Sequence, residues 1–154
     1  MKQSYSVQHM NIPMYRVNLV KESTFKLTVI EDSSQVVGDV LSNIFKGADR
    51  ELFVVLFLNS KNHIIGSNIV HMGTLNMSIV GPREVFKPAI IASASSIIVA
   101  HNHPSGDPTP SPEDYAVTEK LKEIGKILDI PVLDHIVYGE DYSYSIEFCR
   151  GIFH

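Results

Sequence analysis

His101-Asn102-His103-Pro104-Ser105-Gly106-Asp107-Pro108-Thr109-Pro110-Ser111-Pro112-Glu113-Asp114 follows directly on the apolar run Ser96-Ile97-Ile98-Val99-Ala100. The run is short and rich in β-branched residues, so it predicts a buried strand that ends at the first histidine. Gly106 and the prolines at 104, 108 and 110 make residues 104–110 a loop with a fixed path. Ser111-Pro112-Glu113-Asp114 then reads as a helix start, with Ser111 at the N-cap, proline at the first helical position and acidic residues in the first turn. Across residues 112–128, Val117, Leu121, Ile124 and Leu128 fall on one helical face while Lys120, Lys122, Glu123 and Lys126 point outward. A further strand is expected at 132–138 and another at 142–148. Strand, loop, helix and strand in succession predict an α/β domain.

On the N-terminal side, Leu52-Phe53-Val54-Val55-Leu56-Phe57-Leu58 is apolar throughout and predicts a central strand buried on both faces. Residues 63–71 read as its antiparallel return, closed by Gly73. A helix is expected over 83–92, kinked or cut short at Pro88, and another over 33–46, begun by Asp32 and Ser33 and ended by Gly47. Residues 15–20 and 25–30 alternate apolar and polar side chains as a strand pair does. Residues 1–13 form a flexible lead-in or an arm that packs on a partner, and 14–154 a single layered domain with a mixed β-sheet flanked by helices.

Composition narrows the function classes. The 154 residues suit one domain, and 44% apolar with 19% charged residues is the balance of a folded globular chain. A net charge of −4 gives no overall field that would draw it to nucleic acid. One cysteine, Cys149, builds neither a disulfide framework nor a cysteine metal site and is expected to be a small buried hydrophobe. With no apolar stretch long enough for a membrane span or a signal peptide, the expected location is the cytoplasm.

Side chains at i and i+2 of a strand leave on the same face, so His101 and His103 can converge on one point. Asp114 can supply a third ligand if the loop folds back to the strand end. Two imidazoles and one carboxylate leave a fourth position open, which is the coordination of a catalytic metal site. Capping alone accounts for Ser111 and Asp114, but it asks nothing of His101 or His103. Of the other five histidines, His63 and His71 read as surface residues, His9 and His154 lie near the termini, and His135 reads as a structural strand residue or an outer partner of a metal-bound imidazole.

The pattern His101, His103, Ser111, Asp114 resembles the metal signature of the JAMM (JAB/MPN+) zinc metalloproteases. The words Gly73-Thr74-Leu75-Asn76, Pro82-Arg83-Glu84-Val85-Phe86 and Leu133-Asp134-His135-Ile136 resemble the bacterial RadC branch of that superfamily, as does Asn102 between the histidines. The resemblance spans residues 35–148. It implies a JAB/MPN, cytidine-deaminase-like fold and Zn²⁺ held by His101, His103 and Asp114. It implies also an upstream glutamate as proton carrier, Ser111 as hydrogen-bond donor to the oxyanion, and hydrolysis of a peptide or isopeptide bond. The glutamate position before the first core strand matches Glu51, with Glu84 as the rival. Longer relatives carry an N-terminal helix-hairpin-helix region, for which too few residues precede the core here, so the expectation is a short stand-alone form.

Three functions compete: a zinc-dependent hydrolase with a protein or peptide substrate, a non-catalytic interaction module, and a DNA-repair-associated role. The intact His101, His103, Asp114 and Glu51 favour the first, and the acidic balance disfavours nucleic acid as a partner. No membrane partner is expected, and the N-terminal arm suits a homo-oligomer. Two histidines and a carboxylate also make the iron site of certain oxygenases, but the helices expected here do not fit the all-β barrels that carry it.

Overall fold

The computed structural model describes residues 13–24, 40–73 and 80–153. Among these residues six strands form one sheet: β1 (Leu52–Leu58), β2 (Ile64–Met72), β3 (Ser96–Asn102), β4 (Val132–Tyr138), β5 (Tyr142–Ser145) and β6 (Arg150–Phe153), in the order β2-β1-β3-β4-β5-β6. Only β3 and β4 run parallel. Their crossover is the helix α3 (Pro112–Ile127), while α1 (Ser42–Phe45) precedes β1 and α2 (Pro82–Ile91) precedes β3. The expected α/β class with a mixed sheet is what forms. Among the described residues, no helix is long and apolar enough to cross a membrane.

Every residue of β1 is buried, because each face of the strand has its own core. Val54, Leu56 and Leu58 pack with Ile98, Ala100 and Ile136 against Leu41 and Phe45 at α1. Phe53, Val55 and Phe57 pack with Ile97 and Val99 against Phe86 of α2 and Val117 and Leu121 of α3. Gly125 permits the second core its close fit, since a Cβ there would stand 2.6 Å from the Ile130 carbonyl oxygen.

Several expectations need correction. Residues 15–20 form no strand: residues 13–24 are irregular, with Tyr15 and Val20 each 83% exposed. Alternation makes a strand only against a partner, and the expected partner, residues 25–30, lies outside the described residues, as do residues 1–12 and 33–39. The helix expected over 33–46 is seen only in its last turn, followed by Gly47 at φ +76. Pro88 does not cut α2 short. The helix runs on to Ile91 and forgoes the one backbone bond that proline cannot donate.

The strand expected at 142–148 stops at Ser145, and the chain turns through residues 146–149 and returns as β6. The turn is held from β4. Asp134 Oδ1 accepts from Glu147 N, and Ile146 N donates to the His135 carbonyl. Cys149 is exposed rather than buried, because it occupies this turn with φ +49.

Candidate metal centre

The carboxyl end of β3, the start of β1 and the first turn of α3 meet at one end of the sheet's inner strands. His101 pairs with Phe53 across the β1–β3 ladder, which brings the start of β1, and Glu51 before it, beside the His-x-His strand end. His101 lies on the α3 face of the sheet, stacked on Phe53 with centroids 6.1 Å apart, and is fully buried. His103 is two residues on, and the two Nε2 atoms approach to 3.0 Å. The i, i+2 expectation holds.

Asp114 reaches both rings. Its Oδ1 lies 3.1 Å from His101 Nε2 and its Oδ2 lies 3.3 Å from His103 Nε2. The same carboxylate completes a capping box: Ser111 N and Ser111 Oγ both donate to Oδ2 at 2.7 Å, and Asp114 N donates to Ser111 Oγ at 3.2 Å. The capping reading is therefore realised, and the same side chain faces both imidazoles. Ser111 spends its hydroxyl hydrogen on Asp114, so in this arrangement it orients the carboxylate, and donation to a substrate oxygen requires that bond to be exchanged.

Glu51 is 8% exposed, and it, His101 and His103 each offer a ligand atom within 4.8 Å of the others, a group that can hold a metal ion. Glu84 lies elsewhere, exposed in the first turn of α2. Asn102 supports Glu51 from between the histidines: its Oδ1 accepts from Leu52 N at 2.8 Å and its Nδ2 donates to the Arg50 carbonyl at 3.2 Å. The residues on either side of Glu51 are thus clamped to the strand end that carries the imidazoles. In sequence, Asn102 stood out only as a mark of resemblance.

Backbone and buried groups fix the rings from behind. His103 Nδ1 donates to the Asp107 carbonyl at 2.8 Å, leaving Nε2 for the site. The loop that supplies this carbonyl is stiffened by Thr109, whose N and Oγ1 both donate to Asp107 Oδ1, and Pro108 is buried against Gly139, where a Cβ would lie 3.0 Å from the proline ring. His101 Nδ1 lies 2.8 Å from His135 Nε2, and His135 Nδ1 lies 2.7 Å from Thr118 Oγ1. His135 is the buried strand residue expected, and its ring also meets His101; Thr118 carried no signal beyond standing four residues after Asp114. His63 is exposed as expected, and His71 is half-buried on the edge strand β2.

Electrostatics follow the contacts. Burial alone raises the carboxyl of Asp114, but His101 and His103 hold it far below the usual carboxylate range. Asp114 in turn raises His103, and burial pushes His135 well down. Beside His103 and Asn102 opens a groove of about 420 Å³, lined among others by Asp49, Arg50, Glu140 and Asp141. Arg50 is already paired with Asp49 at 2.8 Å, so the wall is acidic.

Comparison with known proteins shows the family. The model of the RadC-like JAB domain family matches residues 30–150. A UPF0758 protein of Shouchella clausii is 44% identical over 87% of this chain and 58% of its own length. One from Staphylococcus haemolyticus is 54% identical over 71% of this chain and 48% of its own, and one from Methanosarcina acetivorans 53% identical over 64% and 43%. The chain spans about half the length of the curated relatives it matches.

Proposed function

The chain belongs to the RadC-like JAB domain family, and from that membership and the geometry of the site we propose that it is a zinc-dependent hydrolase of peptide or isopeptide bonds. His101, His103 and Asp114 are the ligands. Glu51 carries the proton.

The observation behind this reading is the convergence of acceptors. Two imidazole Nε2 atoms and two carboxylate oxygens stand 3.0, 3.1 and 3.3 Å apart, with few hydrogens to share among them. Ligand atoms around a tetrahedral zinc at its usual bond lengths of about 2.0–2.1 Å are separated by roughly 3.3 Å, so the cluster has the size of a metal site before any ion enters. Nitrogen and oxygen ligands without thiolate suit zinc, and three protein ligands leave one position open. When bound, the ion polarises the scissile carbonyl and lowers the pKa of water to about 7.

The side chains do the rest. Asp114 is chosen as the third ligand because its two oxygens lie 3.1 and 3.3 Å from the two rings and the capping box locks it there, and the proton falls to Glu51, which is also within ligand range of both imidazoles. Its carboxylate takes a proton from the attacking water and returns it to the leaving amine nitrogen. Asn102 keeps that carboxylate in register with the imidazoles. The acidic groove beside His103 repels a phosphodiester backbone and accepts a polypeptide, which supports a peptide over a nucleic acid substrate.

Metal analysis of protein purified without chelator is expected to find one zinc per chain; iron instead would reopen the oxygenase reading. Screening against peptide and isopeptide libraries then gives a substrate on which Glu51→Gln is expected to lose about 10²–10⁴-fold in rate while keeping its zinc. Full activity in Glu51→Gln together with loss in Glu84→Gln would refute the assignment.

A further inference from the structure

A line of hydrogen bonds runs behind His101, and donor chemistry fixes its direction. Thr118 Oγ1 lies 2.6 Å from the Asp114 carbonyl oxygen. A carbonyl only accepts, so the single hydroxyl hydrogen of Thr118 goes there. Toward His135 the hydroxyl can then only accept, which places a hydrogen on His135 Nδ1. The His135 ring is 1% exposed with both nitrogens engaged inside the protein, and an imidazole that spends its one hydrogen at Nδ1 has only an acceptor at Nε2. His101 must therefore donate from Nδ1. His101 with its one hydrogen on Nδ1 presents a lone pair at Nε2, facing Asp114 Oδ1 and His103 Nε2.

We propose that Thr118 and His135 form a buried one-way chain that locks His101 in its Nδ1–H tautomer, making His135 a positioning residue for metal binding at the site proposed above. The lock is needed because of Asp114. A carboxylate oxygen 3.1 Å from Nε2 attracts a hydrogen onto that nitrogen, which would close the site to an ion. The chain opposes this through the same residue: the backbone carbonyl of Asp114 sets the direction at one end, and its carboxylate meets the result at the other. Helical spacing makes the arrangement possible, since Thr118 stands one turn beyond Asp114 on the face of α3 that covers the sheet.

His135→Phe keeps a ring against Phe53, whose centroid is 5.6 Å away, and removes the acceptor. Its zinc affinity, measured by competition with a chromophoric chelator, is expected to fall about 10–100-fold, the usual effect of losing an outer partner of a ligand. His135→Gln, with an acceptor at its tip, is expected to recover most of the loss. Independently of metal, ¹⁵N imidazole shifts of the metal-free protein are expected to show His101 protonated at Nδ1 in the wild type and shifted toward Nε2–H in His135→Phe. A wild-type His101 in the Nε2–H form, or an unchanged tautomer in His135→Phe, overturns the proposal. If the wild type binds no zinc, the metal reading fails and the imidazole spectrum still decides on the chain. Should His135→Phe not fold, the spectrum of Thr118→Val decides in its place, with an unchanged His101 tautomer counting against the chain.

Discussion

Asp114 and Asp134 are equally hidden, at 7% and 5% exposure, yet they are held in opposite ways. Asp134 faces fixed donors: Ser145 Oγ at 2.9 and 2.7 Å, His135 N at 2.7 Å and Glu147 N at 3.2 Å. Burial dominates, and its carboxyl is raised above the ordinary range. Asp114 accepts two capping bonds but turns its oxygens toward imidazole nitrogens that converge on the same point. The difference shows how a buried carboxylate declares its purpose. One surrounded by hydroxyl and amide hydrogens is satisfied and structural; one surrounded by other acceptors calls for a cation.

Substitutions can break this contrast. Asp114→Asn is expected to weaken zinc binding by more than about 100-fold, beyond the range of outer partners, with little change in melting temperature. Asp134→Ala is expected to do the reverse, costing about 3 kcal/mol of unfolding free energy by chemical denaturation because it strands buried donors, with the zinc affinity of the folded protein unchanged. Weak zinc binding in Asp134→Ala would end the distinction between the two aspartates. Ser111→Ala lies between them: loss of the cap is expected to cost about 1 kcal/mol and loss of orientation at Asp114 roughly tenfold in zinc affinity.

The smallest effect is in pH. Because its folded pKa is raised, Asp134 binds its proton more tightly in the folded than in the unfolded chain, so its contribution is full below the ordinary value of 3.8 and is lost as pH rises through the folded pKa. Asp134→Asn removes that titration. Its stability relative to wild type is expected to improve as pH climbs above the ordinary carboxylate range, and a flat difference across paired denaturation curves would show that Asp134 does not titrate there.

The same contrast separates what could be read from the sequence from what could not. His101, His103, Ser111 and Asp114 lie within fourteen consecutive positions, and their geometry depends on a strand period and a helix cap, both local rules. Glu51 was legible through resemblance, and the structure brings it to the strand end. His135 was only half legible, because whether it meets His101 depends on a parallel register that shifts between Ile97 and Ile98. No local pattern specifies such a shift. The turn at 146–149 was missed for a related reason: its organiser, Asp134, stands thirteen positions from Glu147 in the chain. Alternation at 15–20 misled because it describes a face without naming what will cover it.

Gly139 bears on how parts of this molecule can be exchanged with those of relatives. Surface turns ordinarily tolerate replacement, but a side chain at 139 would meet the Tyr142 carbonyl at 2.5 Å and the Pro108 ring at 3.0 Å. Pro108 follows the residue whose carbonyl orients His103. A loop graft that brings in a new 139–142 turn without its matching 104–110 segment would therefore carry its misfit to the imidazole, so the two segments are one unit for transplantation although 28 residues of sequence, including all of α3, lie between them.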